Sequence, residues 1–300
     1  MDHPLRSKKL KPLRGRVISL FQSGFLIQRT SNIVFVCGGN SPDNMRRKFQ
    51  DIFSSLLPDF EFFEPEFAMR NYFGLGDERP FDISEFEELI GELSHSIVLF
   101  PEAPGSFAEA GYFGAIDSLA KKTILAIDLN RQKNDSFISL GPAKKIADIS
   151  FFQPNIQLNY NEPDFSLISQ RILERRPLKK SKGAFVIKPF NQTSTFELFA
   201  LIHQIVSLLR IATAADVEFF VNSVYKSHIN PSKVKKVISM LVGSRRLMEV
   251  GGFDHLRACE DRASFLSVRE GFQTSHDVLS VDIATAMLEA DADFLAVLGA

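Results

Sequence analysis

The run Ile33-Val34-Phe35-Val36-Cys37 is apolar at every position and stops at Gly38-Gly39, the pattern of a strand buried on both faces. Beyond the glycines, Ser41 offers an N-cap oxygen and Pro42 suits a first helical position. Met45, Phe49, Ile52, Phe53 and Leu56 then recur at helical spacing. Strand, glycine turn and amphipathic helix make one unit, and the unit recurs. Phe60-Glu61-Phe62-Phe63 is a second short strand stopped by Pro65, and a polar loop rich in Gly and Asp leads to a helix over 84–93. A third strand falls at 96–100, a helix at 106–119 and a fourth strand at 123–127. The fifth strand falls at 149–152 or at 156–160, and a helix over 165–174 closes the layer. Strands alternating with helices of this length require right-handed crossovers and a parallel sheet. Residues 30–176 therefore read as a doubly wound α/β domain.

The texture changes after it. Residues 177–195 hold like charges and turn formers (Lys179, Lys180, Lys182, Gly183, Pro189, Asn191) without apolar periodicity, and read as a linker. Then Phe196, Phe199, Ala200, Ile202, His203, Val206, Leu209 and Ile211 indicate a long helix, 215–225 a second, and Val234, Val237, Ile238, Leu241 and Val242 a third from 232. The strand 247–250 runs into Gly251-Gly252. Three helices followed by a strand and a glycine turn are the layout of a winged helix-turn-helix, assigned to 196–300. An amphipathic packing helix ends it, with Ile283, Ala284, Met287 and Leu288 among Asp282, Glu289, Asp291 and Asp293. Residues 1–29 read as a basic arm with a short helix: Arg6, Lys8, Lys9, Lys11, Arg14, Arg16 and Arg29 face only Asp2. The apolar run after the basic residues is broken by Gln22, Ser23 and Gly24 and shows no small-residue cleavage site, so a cytoplasmic protein is expected rather than an exported one.

Composition narrows the classes without choosing a partner. With 300 residues, 45% hydrophobic and 24% charged, the chain is globular and of two-domain size, and neither disorder nor a membrane span fits. A net charge of -1 leaves nucleic-acid contact to local patches. The cysteines Cys37 and Cys259 are too few and too far apart for a metal quartet or disulfide framework, and the six histidines show no metal spacing. The 29 Phe beside 4 Tyr and no Trp make the cores phenylalanine-built.

In a doubly wound sheet the ligand site lies at the carboxyl ends of the strands. Two turns fall there: Cys37-Gly38-Gly39-Asn40-Ser41, and Pro101-Glu102-Ala103-Pro104-Gly105-Ser106. Gly38 and Gly39 allow close backbone approach, and the helix start after them offers free N–H groups to an anion; a plain tight turn is the other reading. Ser106-Phe107-Ala108-Glu109 has capping-box spacing. Equally, Glu109 in a first helical turn would face the crevice as an ionised carboxylate fit for a nucleophile. Small residues at Ala110, Gly111 and Gly114 would let this helix sit close to the sheet.

These strings carry a resemblance. Phe35-Val36-Cys37-Gly38-Gly39, Glu87 before the third strand, Phe100-Pro101-Glu102-Ala103-Pro104-Gly105-Ser106-Phe107-Ala108-Glu109-Ala110-Gly111, and later Ser136-Phe137-Ile138 with Gly141-Pro142 resemble the nucleoside 2-deoxyribosyltransferase-like toxin effectors of bacterial type II retrons. The resemblance implies a deoxyribosyltransferase-like, flavodoxin-like layered α/β domain and an antiphage toxin that cleaves N-glycosidic bonds. NAD+ is implied as substrate, giving nicotinamide and ADP-ribose, with no cofactor and no metal. It implies Glu109 as nucleophile and Glu87 on the ribose hydroxyls, with Cys37, Gly38, Gly39, Asn40, Gly105 and Ser106 as substrate-binding residues. It also implies a retron reverse transcriptase and its msDNA, the RNA–DNA hybrid, as partners, and a homo-oligomer or higher assembly. An oxocarbenium-like transition state at C1′ needs a nearby carboxylate, and nicotinamide leaves as a neutral base without a general acid. The acidic turn of true deoxyribosyltransferases is matched only by the offset Glu102, which favours hydrolysis over transfer.

Further candidates stay open on the residues alone. Arg46 and Arg47 lie on a solvated helix face or pair with pyrophosphate. Lys233, Lys235, Lys236, Arg245 and Arg246 grip nucleic acid or belong to a winged fold used for protein contact. Alternatives to the NAD+ reading are a nucleoside or nucleotide N-glycosidase or deoxyribosyltransferase, and a non-catalytic nucleotide-sensing or DNA-binding module.

Overall fold

The computed structural model describes residues 2–28, 32–63, 83–130, 136–175, 182–251, 255–260 and 264–290. Pro65 and the Gly- and Asp-rich loop after it, residues 177–181 of the linker, Gly252, Asp291 and Asp293 lie outside the described residues. The chain divides into an α/β unit, Thr30–Pro65 with Ile83–Lys179, and a helix-rich unit formed by Met1–Arg29, Glu66–Asp82 and Lys180–Ala300.

The N-terminal elements, α1 (Lys11–Ser23) and β1 (Phe25–Gln28), belong to the helix-rich unit. The α/β unit then runs β2 (Ile33–Cys37), α2 (Met45–Leu56), β3 (Glu61–Phe63), α3 (Ile83–Leu93), β4 (Ser96–Leu99), α4 (Pro104–Ala115) and α5 (Asp117–Ala120). It continues through β5 (Thr123–Asp128), α6 (Phe137–Leu140), α7 (Pro142–Ile149), β6 (Ile156–Leu158) and α8 (Ser166–Glu174). Its five strands form one parallel sheet in the order β3-β2-β4-β5-β6. The fifth strand is thus the later of the two expected segments.

Register assigns the two faces. Val34 pairs with Ser96, Phe35 with Ile97 and Cys37 with Leu99, and paired residues of parallel strands point to the same side. Val34, Val36, Val98, Phe100, Ile124, Ala126, Ile156 and Leu158 pack with Met45, Phe49 and Phe53 of α2 and Ile168 and Ile172 of α8. Phe49, Phe100 and Phe165 meet pairwise there, with ring centroids 5.2 to 5.9 Å apart. Each ring buried this way contributes about 1.5–3 kcal/mol. On the opposite face Phe35 meets Phe113 of α4 at 6.0 Å, and Gly91 of α3 lies against Ile97 and Leu119.

Two helix starts differ from the sequence reading. The first helix begins at Met45 with Asn44 as N-cap, so Ser41 and Pro42 lie in the turn before it. The helix expected from Ser106 begins at Pro104, which takes the first position, with Ala103 as N-cap. Ser106 is its third residue and Glu109 lies in the second turn. The Ser106–Glu109 capping box is therefore absent. Of the small residues of α4, Ala110 is fully buried, and Gly114 makes a close approach to Pro142 of α7: a Cβ there would stand 2.9 Å from the Pro142 Cβ. Gly111 faces open space.

The helix-rich unit adds β7 (Lys182–Ala184), α9 (Thr195–Leu209), β8 (Ala212–Thr213), α10 (Ala214–Tyr225), α11 (Pro231–Gly243), β9 (Leu247–Val250), β10 (His255–Ala258), β11 (Leu266–Val268) and α12 (Gln273–Ala290). Two antiparallel sheets serve it, β11-β1-β7 and β8-β10-β9. α9 and α10 open on capping boxes, Ser194 with Glu197 and Thr213 with Asp216. The N-terminal segment is integral to this unit rather than an arm. Leu5, Val17, Leu20 and Phe21 are buried, and β1 pairs on both sides. Asp216 accepts the His3 N–H (3.0 Å) and the Arg6 guanidinium (3.2 Å). Arg16 pairs with Asp282, and Arg14 stands over the Phe219 ring. The later part of the expected linker is structured too: β7 pairs with β1, and Phe190 packs edge-on against Tyr225 at 5.3 Å.

Candidate active site

The strand order reverses beside β2, whose neighbours are the second and third strands of the sheet. The crevice at the carboxyl ends of β2 and β4 is thus the topological switch point. The adjacent strands bring the Cys37-Gly38-Gly39 turn beside the Pro101-Glu102 turn, and the Phe100 N–H closes onto the Cys37 carbonyl at 3.0 Å.

Glu102 joins the two turns. Its Oε1 accepts from the Gly39 N–H at 2.9 Å and the Arg46 N–H at 3.3 Å, and its Oε2 from the Met45 N–H at 2.7 Å. The Met45 and Arg46 N–H groups are the first of α2, the place where the sequence offers a site to a ligand anion. The protein's own carboxylate fills that place. The bridge also explains the glycines. A Cβ on Gly38 would stand 2.8 Å from Glu102 Oε1 and 2.9 Å from the Arg46 Cβ, and one on Gly39 would stand 2.4 Å from Asn44 Oδ1. Ser106 is likewise engaged: its Oγ accepts from the Glu102 and Ala103 N–H groups, at 3.0 and 2.9 Å, and donates to the Ala103 carbonyl. Cys37 is buried, while Asn40 and Gly105 are exposed.

Glu109 and Glu87 share one side of the crevice. In α4, Ser106, Ala110 and Phe113 form the buried stripe. Glu109 borders it, half-buried, with Oε2 shut off from solvent. It lies one turn before Phe113, toward the carboxyl ends of the strands. Glu87, only 8% exposed rather than on a solvated face, occupies the N-terminal half of α3, the helix that feeds β4 and packs on the same face as α4. The structure therefore places both carboxylates on one face and at one end of the sheet. Arg46 and Arg47 belong to α2, on the other face. Arg46 is 1% exposed, which excludes a solvated face, and Arg47 donates to Gln50 at 2.6 Å.

Three features escaped sequence reading: the Glu102 bridge, Tyr160 and a cavity. The Tyr160 hydroxyl donates to the Ala126 carbonyl at 2.8 Å. Burial, then the charges of Glu102 and Asp128, push its pKa well above the ordinary phenol value. A cavity of about 570 Å³ opens at the ends of β5 and β6 and is lined in part by Asp128, Ser139, Lys144, Asn155 and Gln157. Neither Glu109 nor Glu87 lines it. Among the described residues no three His, Cys, Asp or Glu side chains are grouped to hold a metal, and no helix is long and apolar enough to cross a membrane.

In the helix-rich unit the basic cluster divides. Lys235 and Arg245 are exposed, Lys236 is half-buried, and Lys233 lies over the Phe190 ring at 5.1 Å. Arg246 leaves the surface set altogether: it is 2% exposed, with its guanidinium 4.0 Å over Phe265. Its charge, after burial, holds His203 down to a pKa of about 4.

The fold defines a mixed α/β protein with a parallel five-stranded sheet. The chain belongs to the STM3845 retron effector protein family, whose profile matches residues 42–249. It is also 31% identical over 129 residues to an Escherichia coli protein of retron Ec86, provisionally named a ribosyltransferase/DNA-binding protein. That similarity spans 42% of this chain and 41% of the relative's length.

Two predictions follow from these contacts. Removing the bridge with Glu102→Ala orphans N–H groups at the start of α2 and lowers the stability of the α/β unit by about 1–3 kcal/mol. Chemical denaturation checks this, and an unchanged midpoint would remove the bridge's structural role. His203 is held neutral when folded, below its unfolded pKa of about 6.5, so the unfolded chain binds the extra proton between the two values. The stability it allows is complete above pH ~6.5 and is lost as pH falls toward 4, by about 3 kcal/mol in all. Melting the parent and His203→Gln across that window should show a slope that the variant lacks.

Proposed function

We propose that the chain is a retron effector enzyme that cleaves an N-glycosidic bond, hydrolysing NAD+ to nicotinamide and ADP-ribose. The observation that supports this reading is that Glu109 and Glu87 stand on two helices that cover the same face of the sheet, toward the carboxyl ends of its strands, in a chain of a retron effector family. Glu109 attacks C1′ or stabilises the oxocarbenium-like transition state. Glu87 accepts hydrogen bonds from the ribose hydroxyls, and the nicotinamide, cationic in NAD+, takes the electrons of the C1′–N bond and departs as a neutral base without a proton. Water then completes the hydrolysis at C1′. Cys37 and the Gly38-Gly39-Asn40 backbone border the crevice. With Glu102 committed to the start of α2, the acid of the deoxyribosyltransferase turn is not supplied there, which favours water as acceptor. The ribosyltransferase name of the Escherichia coli relative favours the second reading, transfer from a nucleoside or nucleotide.

In this reading the enzyme works in a higher assembly with a reverse transcriptase and its msDNA, and the helix-rich unit acts as a winged helix-turn-helix. Lys235 and Arg245 are the cations of its basic cluster that can meet phosphate.

The full chain, with and without its retron partners, should release nicotinamide from NAD+, and Glu109→Gln should reduce the rate at least about a thousandfold. Intact NAD+ under both conditions, or an active Gln variant, would sink the reading. Mass spectrometry finding a free purine or pyrimidine base instead would favour the second one. Charge reversal of Lys235 and Arg245 together should weaken duplex binding in a gel-shift assay while leaving the fold intact; undiminished binding would leave protein contact as the role of that surface.

A further inference from the structure

α9 is buried almost all round, yet His203, Ser207 and Arg210 follow one another at spacings of four and three along one stripe. That stripe faces a cavity of about 360 Å³ whose far wall is Arg257, Ala258, Cys259 and Glu260, at the end of β10 and just beyond it, with Ser264 nearby. The volume is within the range of small-ligand pockets and near the size of a mononucleotide. The lining is polar, and among the described residues it carries two guanidiniums and the exposed carboxylate of Glu260. Arg246 adds a third, buried positive charge behind His203. His203 is 2% exposed, and neither ring nitrogen makes a hydrogen bond of good geometry. The Arg246 carbonyl beside it already accepts the Cys259 N–H at 2.9 Å.

Arg210 is held there at a cost. Its backbone adopts φ 67° and ψ -51°, and the Ile211 N–H closes onto the Leu209 carbonyl at 2.8 Å. This is the rare γ-turn with positive φ, a strained conformation for any residue but glycine. A charged side chain at a strained position on the lip of a polar cavity, beside a buried imidazole, points to a ligand.

We propose that the helix-rich unit carries a phosphate-binding pocket between α9 and β10, of nucleotide size, in which Arg210 and Arg257 grip the phosphate and His203, Ser207 and Ser264 complete its hydrogen bonds. Guanidinium forks match phosphate oxygens in charge and geometry. Glu260, on the same wall, accepts from a sugar hydroxyl or a base N–H. The phosphate belongs to a free nucleotide or to the end of a nucleic-acid strand.

The full chain, labelled at its histidine rings, is titrated with inorganic phosphate, AMP, and an oligonucleotide bearing either a 5′-phosphate or a 5′-hydroxyl. Phosphate and AMP should shift the His203 resonances and raise its titration midpoint, because the bound anion favours the imidazolium. Arg210→Gly removes the guanidinium and suits the γ-turn. It should weaken AMP binding about tenfold or more and leave the melting temperature unchanged or higher. Tighter binding of the 5′-phosphorylated strand than of AMP and of the 5′-hydroxyl strand would identify a strand end as the source. Binding of AMP and not of the strand would identify a free nucleotide. The proposal is overturned if no probe shifts His203 at millimolar concentration, or if folded Arg210→Gly binds AMP as the parent does.

Discussion

The crevice of the α/β unit depends on one carboxylate. Glu102 leaves the end of β4 and binds backbone N–H groups at Gly39, Met45 and Arg46, so it joins both strands of the switch point to the helix that starts there. Each bond has an ionised acceptor and is stronger than a neutral pair. Its reach sets the rest: Gly38 must lack a side chain, α2 must start at Met45, and the α2 terminus is closed to outside anions. The crevice is therefore asymmetric. Its α2 side is filled by the protein, while Glu87 and Glu109 stand on α3 and α4, on the other face of the sheet; in the proposed function a substrate meets these carboxylates rather than a phosphate cradle. That asymmetry suits chemistry at a sugar carbon that becomes cationic.

The helix-rich unit is built on long-range closure. β1 pairs with β11, the Leu26 and Ser267 partners lying far apart in the chain, and buried Asp216 gathers His3, Arg6 and Thr213. Removing one partner from such a cluster leaves a buried charge uncompensated, so the first residues are as structural as the core helices. Three arginines near the N-terminus are engaged too, Arg6 on Asp216, Arg14 on Phe219 and Arg16 on Asp282, while Lys8, Lys9 and Lys11 are exposed.

What the sequence discloses tracks the range of the interaction. The strands of the sheet are legible because each is short and mostly apolar between helical stretches, β2 being apolar throughout, and the two turns at the switch point follow from their order. Ser106-Phe107-Ala108-Glu109 imitates a capping box, but Pro104 takes the first helical position and moves the start two residues earlier. Arg46 could have been placed inside, since it stands three and seven residues before Phe49 and Phe53 on the buried stripe of α2. Its charge outweighed its position. Arg246 sits in an irregular turn with no periodicity to reveal burial, and the Glu102 bridge spans 57 residues to Met45, beyond any local pattern. Glu109 and Glu87 are singled out by motif likeness alone; that their helices share a face needed the strand register.

Strain and burial in the two units point the same way. A native chain holds a net stability of only about 5–15 kcal/mol, and a backbone in a sparsely populated conformation costs about 1–3 kcal/mol of it. Arg210 incurs that cost at the end of a helix whose other residues are almost all buried. His203, one stripe position inward, adds a neutral ring held beside a buried cation. Apolar residues or a glycine in these places would pack or turn at less cost. In the α/β unit, Gly38 and Gly39 are explained in full by the approach of Glu102 and Asn44, and Ser106 by its turn. Of the two polar groupings, the one around α9 has no such structural explanation, and its chemistry is that of a receptor for an anion.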